Sequence, residues 1–114
     1  MEKPNKKKDQ ELWDSIYLSI LNKNYIFVAH AKKRLKDRNV TDIEVLDILE
    51  NKERCKRKRN KKKDSYIKGH QDWNYCIEGV DLDGEKIRII ISFNEELMLI
   101  ITVIRLKNLE KYYD

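Results

Sequence analysis

Residues 86–105, KIRIIISFNEELMLIITVIR, leave the chain few ways to fold. They are dense in β-branched and aliphatic side chains, which favour strands. Asn94-Glu95-Glu96 breaks the run, and neither half is long enough to cross a bilayer as a helix. Just upstream, Trp73, Tyr75 and Ile77 alternate with Asn74, Cys76 and Glu78, the period of a strand with one apolar face. Asp83-Gly84 between the runs is a strong short hairpin signal. An antiparallel three-stranded meander over residues 72–105 follows. Its later two strands are nearly continuous in Ile, Leu and Val, which predicts that helices cover both faces of the sheet.

Those helices come from the N-terminal half. Within residues 9–22, Leu12, Trp13, Ile16, Tyr17, Ile20 and Leu21 recur at spacings of three and four, the stripe of an amphipathic helix, with Asp9 as a candidate N-cap. NYIFVA at residues 24–29 reads as a connector or a brief strand. A helix over His30–Arg38 packs through Ala31 and Leu35 and ends near Asn39. Thr41 with Glu44 makes a capping box, and Ile43, Val45, Leu46, Ile48 and Leu49 make the next helix a core element. The expected fold is a single α+β domain over residues 1–114, with two or three N-terminal helices on a three- or four-stranded antiparallel sheet.

Charge is unevenly distributed. The chain of 114 residues has 25 Lys and Arg against 20 Asp and Glu. Residues 1–8 hold four lysines and one acid, and residues 52–63 hold nine Lys or Arg and one acid, leaving 12 bases against 18 acids elsewhere. Like charges so dense repel one another, so the arm at 1–8 and the loop at 52–70 are expected to be extended and exposed. They serve either as solubilising segments or as seats for a polyanion or an acidic protein.

The residues present narrow the chemistry. Gly69, Gly79 and Gly84 are scattered, so no phosphate-binding glycine loop exists, and there is no serine elbow. Two cysteines are too few for a disulfide scaffold, which fits a reducing cytoplasm. Cys55 lies among cations that would lower a thiol pKa. His30 and His70 are isolated from both cysteines, so no metal or cofactor site is expected. No apolar leader follows the basic N-terminus, and no membrane association is expected.

What remains is cations, tyrosines and a histidine on a helix. HAKKRLKDR puts His30, Arg34 and Arg38 four residues apart, so they form a slowly spiralling stripe. Such an inventory suits attack of an RNA 2′-hydroxyl on the adjacent phosphate without a metal. That reaction needs a proton acceptor, a proton donor and fixed positive charge, which His30 and Arg34 could supply in part. The competing role for His30 is packing at a helix start. Lys56, Arg57, Lys58, Arg59, Lys61, Lys62 and Lys63 could hold the RNA backbone, with Arg38 beside the stripe. Tyr66 is a candidate to stack a base, whereas Trp73 reads as core or as a second stacking ring. Arg88 lies either on the sheet rim or in a polar cleft.

HAKKRLKDRNVTDIEVLDIL resembles the opening signature of a widespread group of small bacterial proteins catalogued as a domain of unknown function. In that group a histidine-alanine pair starts a helix and two arginines follow at helical spacing. DWNYCIEGVDLDGEKIRIIISF, with its W-x-Y-x-x-x-G element, and the closing IITVI are similar to the same group's strands, so the resemblance covers roughly residues 27–105. The group is similar to RelE-like toxins of the BrnT and MqsR types. The resemblance implies a compact α+β ribonuclease fold, metal-independent mRNA cleavage on or off the ribosome, and neutralisation by a cognate antitoxin of zinc-finger and helix-turn-helix type. It marks His30, Arg34, Arg38, Gly79 and Thr102, and a looser likeness of the tail adds Arg105 and Tyr113. The helix at 9–22 and the long basic loop lie outside the group's pattern. The expected function is therefore a toxin acting as an mRNA endoribonuclease. The alternatives are a non-catalytic RNA- or ribosome-binding module, and an interaction protein whose basic loop docks an acidic partner.

Overall fold

In the computed structural model, which describes residues 3–95 and 97–106, the helices are α1 (Asp9–Leu21), α2 (Ala29–Asp37) and α3 (Asp42–Glu50). The strands are β1 (Tyr25–Phe27), β2 (Lys58–Arg59), β3 (Tyr75–Val80), β4 (Lys86–Asn94) and β5 (Leu97–Arg105), with a single 3-10 turn at Lys61–Lys63. The meander β3-β4-β5 forms as the alternation predicts. In its first turn Gly84 takes φ 79°, open to glycine at little cost. There the Asp81 carboxylate accepts from the backbone N–H of Asp83 and Glu85, each at 2.9 Å.

Two short strands extend the meander. β1 pairs parallel with β5, and β2 pairs antiparallel with β3, giving the order β1-β5-β4-β3-β2. The sheet is therefore five-stranded and mixed, where three or four antiparallel strands were expected. Three residues of β1 and two of β2 are too short to carry a period, and the lysines around β2 disguise it as loop.

All three helices share one hydrophobic cluster with Tyr75, Ile77, Ile87, Ile89, Ile91, Met98, Ile100 and Val103, and so lie on one face of the sheet. Leu12 and Ile16 of α1, Ala31 of α2, and Val45, Ile48 and Leu49 of α3 are buried there. Ile43 was expected in this core but is 74% exposed, because the inward stripe of α3 runs 45-48-49 and Ile43 falls outside it. Tyr17 and Leu21 likewise sit on the exposed flank of α1. Helices on both faces were expected; among the described residues none covers the second face, where Ile90, Leu99 and Ile104 are only half-buried.

Caps and turns locate the helices. Thr41 Oγ1 accepts from the Glu44 N–H at 3.1 Å, the forward half of the predicted box. Asp9 is not the cap of α1; Lys8 holds that position without a side-chain bond, and Asp9 turns to Arg59 and Lys61. Hydrogen bonds from those two residues outweigh the effect of burial and hold the Asp9 carboxyl below its usual range. After α2, Asn39 adopts φ 53° and the Val40 N–H donates to the Leu35 carbonyl at 2.9 Å, so the helix ends in a Schellman-type turn. Residues 3–8, expected as a free arm, are docked. The Trp73 indole N–H donates to the Pro4 carbonyl at 2.7 Å, and the Lys7 ammonium reaches Asp72 at 2.9 Å.

One irregularity in β5 decides how α2 is held. Ile90 pairs with Thr102 but Ile91 with Ile100, leaving Ile101 as the extra residue of a bulge. The bulge brings Val103 and Arg105 to the helix-covered side beside Ile100. From there the Arg105 Nε donates to the Arg38 carbonyl at 2.9 Å and Nη2 to the Asn39 carbonyl at 3.0 Å. Its Nη1 reaches Asp81 at 3.1 Å and also Glu85. Arg105 thus ties the end of α2 to the β3–β4 turn.

Gly79 marks a second close approach. A Cβ there would lie 2.6 Å from Ile48 Cγ2 and 3.0 Å from the Cys55 carbonyl oxygen, so only glycine lets α3 and the following turn rest on β3. Gly79→Ala is expected to cost about 1–3 kcal/mol, as overpacking does, read as a lower thermal midpoint in a circular-dichroism melt. Arg105→Lys should also destabilise the fold, by about 2 kcal/mol, and so lower the midpoint, because an ammonium cannot span four acceptors that the guanidinium fork reaches together. A midpoint unchanged by Arg105→Lys would exclude the clamp.

Candidate functional site

α2 starts where β1 ends, and its sequence explains its pose. Val28 is the extended N-cap residue, and its N–H donates to the Ile100 carbonyl at 3.1 Å, so the helix leaves directly from the sheet. Ala31 is buried and Leu35 packs against the core, which turns His30 outward and leaves Arg34 half-buried. Arg34 Nε donates to His30 Nε2 at 3.4 Å, a long hydrogen bond. The pair therefore places a proton-transfer group and a fixed cation next to each other on an accessible helix.

The other members of the expected catalytic set stand differently. Arg38 is the C-cap residue of α2, and its carbonyl is one of the acceptors of the Arg105 clamp. Arg105 is engaged by two carboxylates and two carbonyls, which gives it a structural duty rather than the catalytic one expected of it. It holds in place the helix that carries His30. Tyr113 lies outside the described residues. Thr102 is half-buried in β5 opposite Ile90.

The basic loop is folded rather than extended, and two of its arginines are consumed internally. The Arg57 guanidinium lies 3.9 Å from the centre of the Trp13 ring while its Nη1 donates to the Leu49 carbonyl at 2.7 Å, joining α1 to the end of α3. Burial lowers the pKa of this arginine. The Arg59 side chain is 3% exposed; it donates to Asp64 at 2.8 Å, to Asp9 at 2.9 Å and to the Lys7 carbonyl at 2.8 Å, and it faces the Tyr75 ring. The Asp64 carboxylate, fully buried, also accepts from the Cys76 N–H at 3.0 Å. Arg57 and Arg59 therefore belong to the fold and not to an RNA surface. Lys56, Lys58, Lys61, Lys62 and Lys63 remain exposed. Lys58, Lys61 and Lys62 line an open cleft of about 530 Å³ with Asp9, Asn60 and Glu78.

The aromatic candidates meet the docked N-terminal segment. Tyr66 and Trp73 have ring centres 5.6 Å apart, and the Tyr66 hydroxyl donates to the His70 carbonyl at 2.9 Å. Lys3 and Lys6 hold their ammonium groups 5.3 and 4.7 Å from the Trp73 ring, so one stacking face is already occupied. Arg88 is on neither a bare rim nor in an empty cleft: it donates to Glu78 at 2.9 Å on the second face of the sheet. Burial raises the Glu78 pKa, but the bonds from Arg88 and Asn60 outweigh it and the net direction is down.

Both cysteines are buried thiols. Burial first, and then the Asp47 carboxylate that its Sγ approaches at 3.5 Å, pushes Cys55 up, which reverses the lowering expected from neighbouring cations. Burial pushes Cys76 up to about 11. Among the described residues no group of three or more His, Cys, Asp or Glu is placed to hold a metal ion, and no helix is long and apolar enough to cross a membrane.

A buried polar cluster escaped the sequence reading. The Tyr75 hydroxyl donates to Asp72 at 2.5 Å and accepts from the Lys7 N–H at 2.9 Å. Burial and the bond to Asp72 raise the Tyr75 pKa. Tyr75 and Asp72 are three residues apart, but Lys7 is 68 residues from Tyr75, and no local pattern signals that meeting.

The sheet order places β1, which leads into His30, at one edge and β2, which carries the loop lysines, at the other. Four inter-strand spacings separate them, about 19 Å. The chain thus presents two separate cationic features, a helix with a His-Arg pair and a lysine-rich edge. Neither a curated protein nor a solved structure matches the chain. Residues 27–105, which run from the end of β1 to the clamp at Arg105 and include the whole of α2, match the family described as Domain of unknown function (DUF4258), and the chain belongs to that family.

Proposed function

We propose that this protein is a metal-independent endoribonuclease, the toxin of a toxin–antitoxin pair acting on mRNA in the cytoplasm, with a RelE-like fold. The observation that carries the reading is the accessible His30–Arg34 pair on α2. In this scheme the Arg34 fork holds the non-bridging oxygens of one phosphate, as guanidinium groups do in planar bidentate recognition. As Arg34 turns to the phosphate it releases His30 Nε2, which takes the 2′-hydroxyl proton as the 2′-oxygen attacks that phosphorus. The bond to the 5′-oxygen breaks, a 2′,3′-cyclic phosphate forms, and the leaving oxygen takes a proton. Tyr113 is the proposed donor. Arg105, held in its clamp, acts on the reaction only by positioning α2.

A second reading is favoured by the exposed lysines of the basic edge: RNA binding without cleavage. Because Arg57 and Arg59 hold the fold, it is tested by neutralising Lys61, Lys62 and Lys63 to Gln rather than by deleting the loop.

Expression of the intact chain should arrest bacterial growth, and the purified protein should cut a single-stranded RNA in excess EDTA to a cyclic phosphate end. His30→Ala is expected to lose about 10²- to 10⁴-fold in cleavage rate with an unchanged melt, since the ring is exposed. Equal toxicity and equal cleavage by His30→Ala and Arg34→Ala would remove the site. If the lysine edge holds the backbone, the triple Gln variant should make the slope of log binding constant against log salt shallower by about 2, at roughly 0.7 per phosphate contact on a single strand. An unaltered slope would show that these lysines do not meet the RNA.

A further inference from the structure

Among the described residues helices cover only one side of the sheet, and along β5 the other side is largely apolar. Alternation along β5, carried past the bulge, points Leu97, Leu99, Ile101 and Ile104 to that side, with Thr102 as the one polar residue among them. Ile26 of β1, 46% exposed, pairs with Leu99, and Ile90 of β4 sits opposite Thr102. Apolar residues of three strands thus contribute to the strip, with Ser92 opposite Leu99 and Thr102 opposite Ile90 as polar members. A contiguous apolar surface of this kind marks an interaction site more often than an accident of composition.

Two further features describe what would fit. The neighbouring rows carry Lys58, Arg88 and Lys86 against the single carboxylate of Glu78, so the flank of the strip is net positive. At the opposite end, a cleft of about 320 Å³ opens between Gly69, His70 and Gln71 on one side and Ser92, Leu99 and Ile101 on the other. It is large enough to take one bulky side chain. From Leu97 to Ile104 the strip runs about 23 Å at 3.3 Å per residue, the length of a helix of about 15 residues at 1.5 Å rise.

We infer that the uncovered face of the sheet is a docking surface for an acidic amphipathic helix of a second protein. The apolar ridge of that helix lies along β5, one large side chain enters the cleft beside His70, and its carboxylates face Lys58, Lys86 and Arg88. Charge complementarity selects this partner over a second copy of the chain, whose own face would bring the same cations against themselves. The inference does not depend on RNA cleavage, because none of these residues belongs to the His30–Arg34 pair.

The test uses the full chain and two synthetic helical peptides of about 15 residues, each with Leu at positions i, i+3, i+4 and i+7, one flanked by Glu and the other by Lys. Fluorescence anisotropy should show the Glu-flanked peptide binding about tenfold or more tighter than the Lys-flanked one. Ile26→Lys and Ile101→Lys should each weaken it by a similar factor, and Lys86→Glu should narrow or invert the preference between peptides. Ile26 and Lys86 are exposed, so these two variants keep the test intact if Ile101→Lys misfolds. Equal binding of both peptides, or binding indifferent to Ile26→Lys and Lys86→Glu, would overturn the inference. So would a concentration-dependent dimer in sedimentation equilibrium that Ile26→Lys abolishes, since the occupant would then be a second copy. RNA cleavage by Ile26→Lys should equal that of the unaltered chain whichever way the peptides behave.

Discussion

Four acceptors from two distant parts of the chain converge on one guanidinium. Arg105 takes the carbonyls of Arg38 and Asn39 at the end of α2 and the carboxylates of Asp81 and Glu85 in the β3–β4 turn. A helix of nine residues is too short to be stable by itself, so α2 depends on tertiary anchoring at both ends. At its start the anchor is the Val28 N–H on Ile100; at its end it is Arg105, which also meets the negative end of the helix dipole. The direction in which His30 and Arg34 face follows from these two anchors and from Ala31 and Leu35 between them. That clamp in turn depends on the bulge at Ile101. Without the extra residue, Arg105 would fall on the uncovered face and the carbonyls of α2 would lose it.

The cations of the loop follow a similar logic at the other edge. A run of nine positive charges in twelve residues would be expected to stay extended, yet the loop is pinned by the two members that cannot be replaced by lysine without loss. Arg59 satisfies Asp64, Asp9 and the Lys7 carbonyl together, and Arg57 stacks on Trp13 while capping α3. Each uses the planar fork of arginine, which suits several acceptors or a ring face. The lysines left outside carry the charge that a partner would meet. The run of like charge is therefore a structural clasp with a cationic rim.

What the sequence revealed were the features set by local rules. The meander, the Asp83-Gly84 turn, the Thr41 cap and the place of α2 all come from period, turn chemistry or capping, which act over a few residues. Features set by pairing at a distance were hidden. NYIFVA reads as a connector or a brief strand and only its pairing with β5 decides for β1, while β2 is a strand inside a run that reads as loop. The buried Asp72–Tyr75–Lys7 cluster joins residues 68 apart, and Arg59 joins residues 50 apart. For the candidate site the result is mixed in an instructive way. The spacing of His30 and Arg34 was enough to bring them together, because a helix translates spacing directly into contact. No such rule links Arg105 to the carboxylates it meets, so its residue type suggested chemistry where its position dictates architecture.

The uncovered face also changes how the aliphatic runs are read. Strands apolar on both sides are ordinarily taken to be sandwiched within one domain, as in sheets flanked by helices on each face. Here β4 and β5 have that composition and only one layer of helices. Ile91 and Ile100 are accounted for by α1, α2 and α3, whereas Leu99, Ile101 and Ile104 lie outside that cluster and are met by no described helix. Solubility alone would favour polar residues at those positions, because a half-exposed leucine or isoleucine on a flat surface gains little from its partial burial and exposes the rest. The composition of the second face thus points outside the chain, and it does so whatever chemistry His30 and Arg34 perform at the β1 edge.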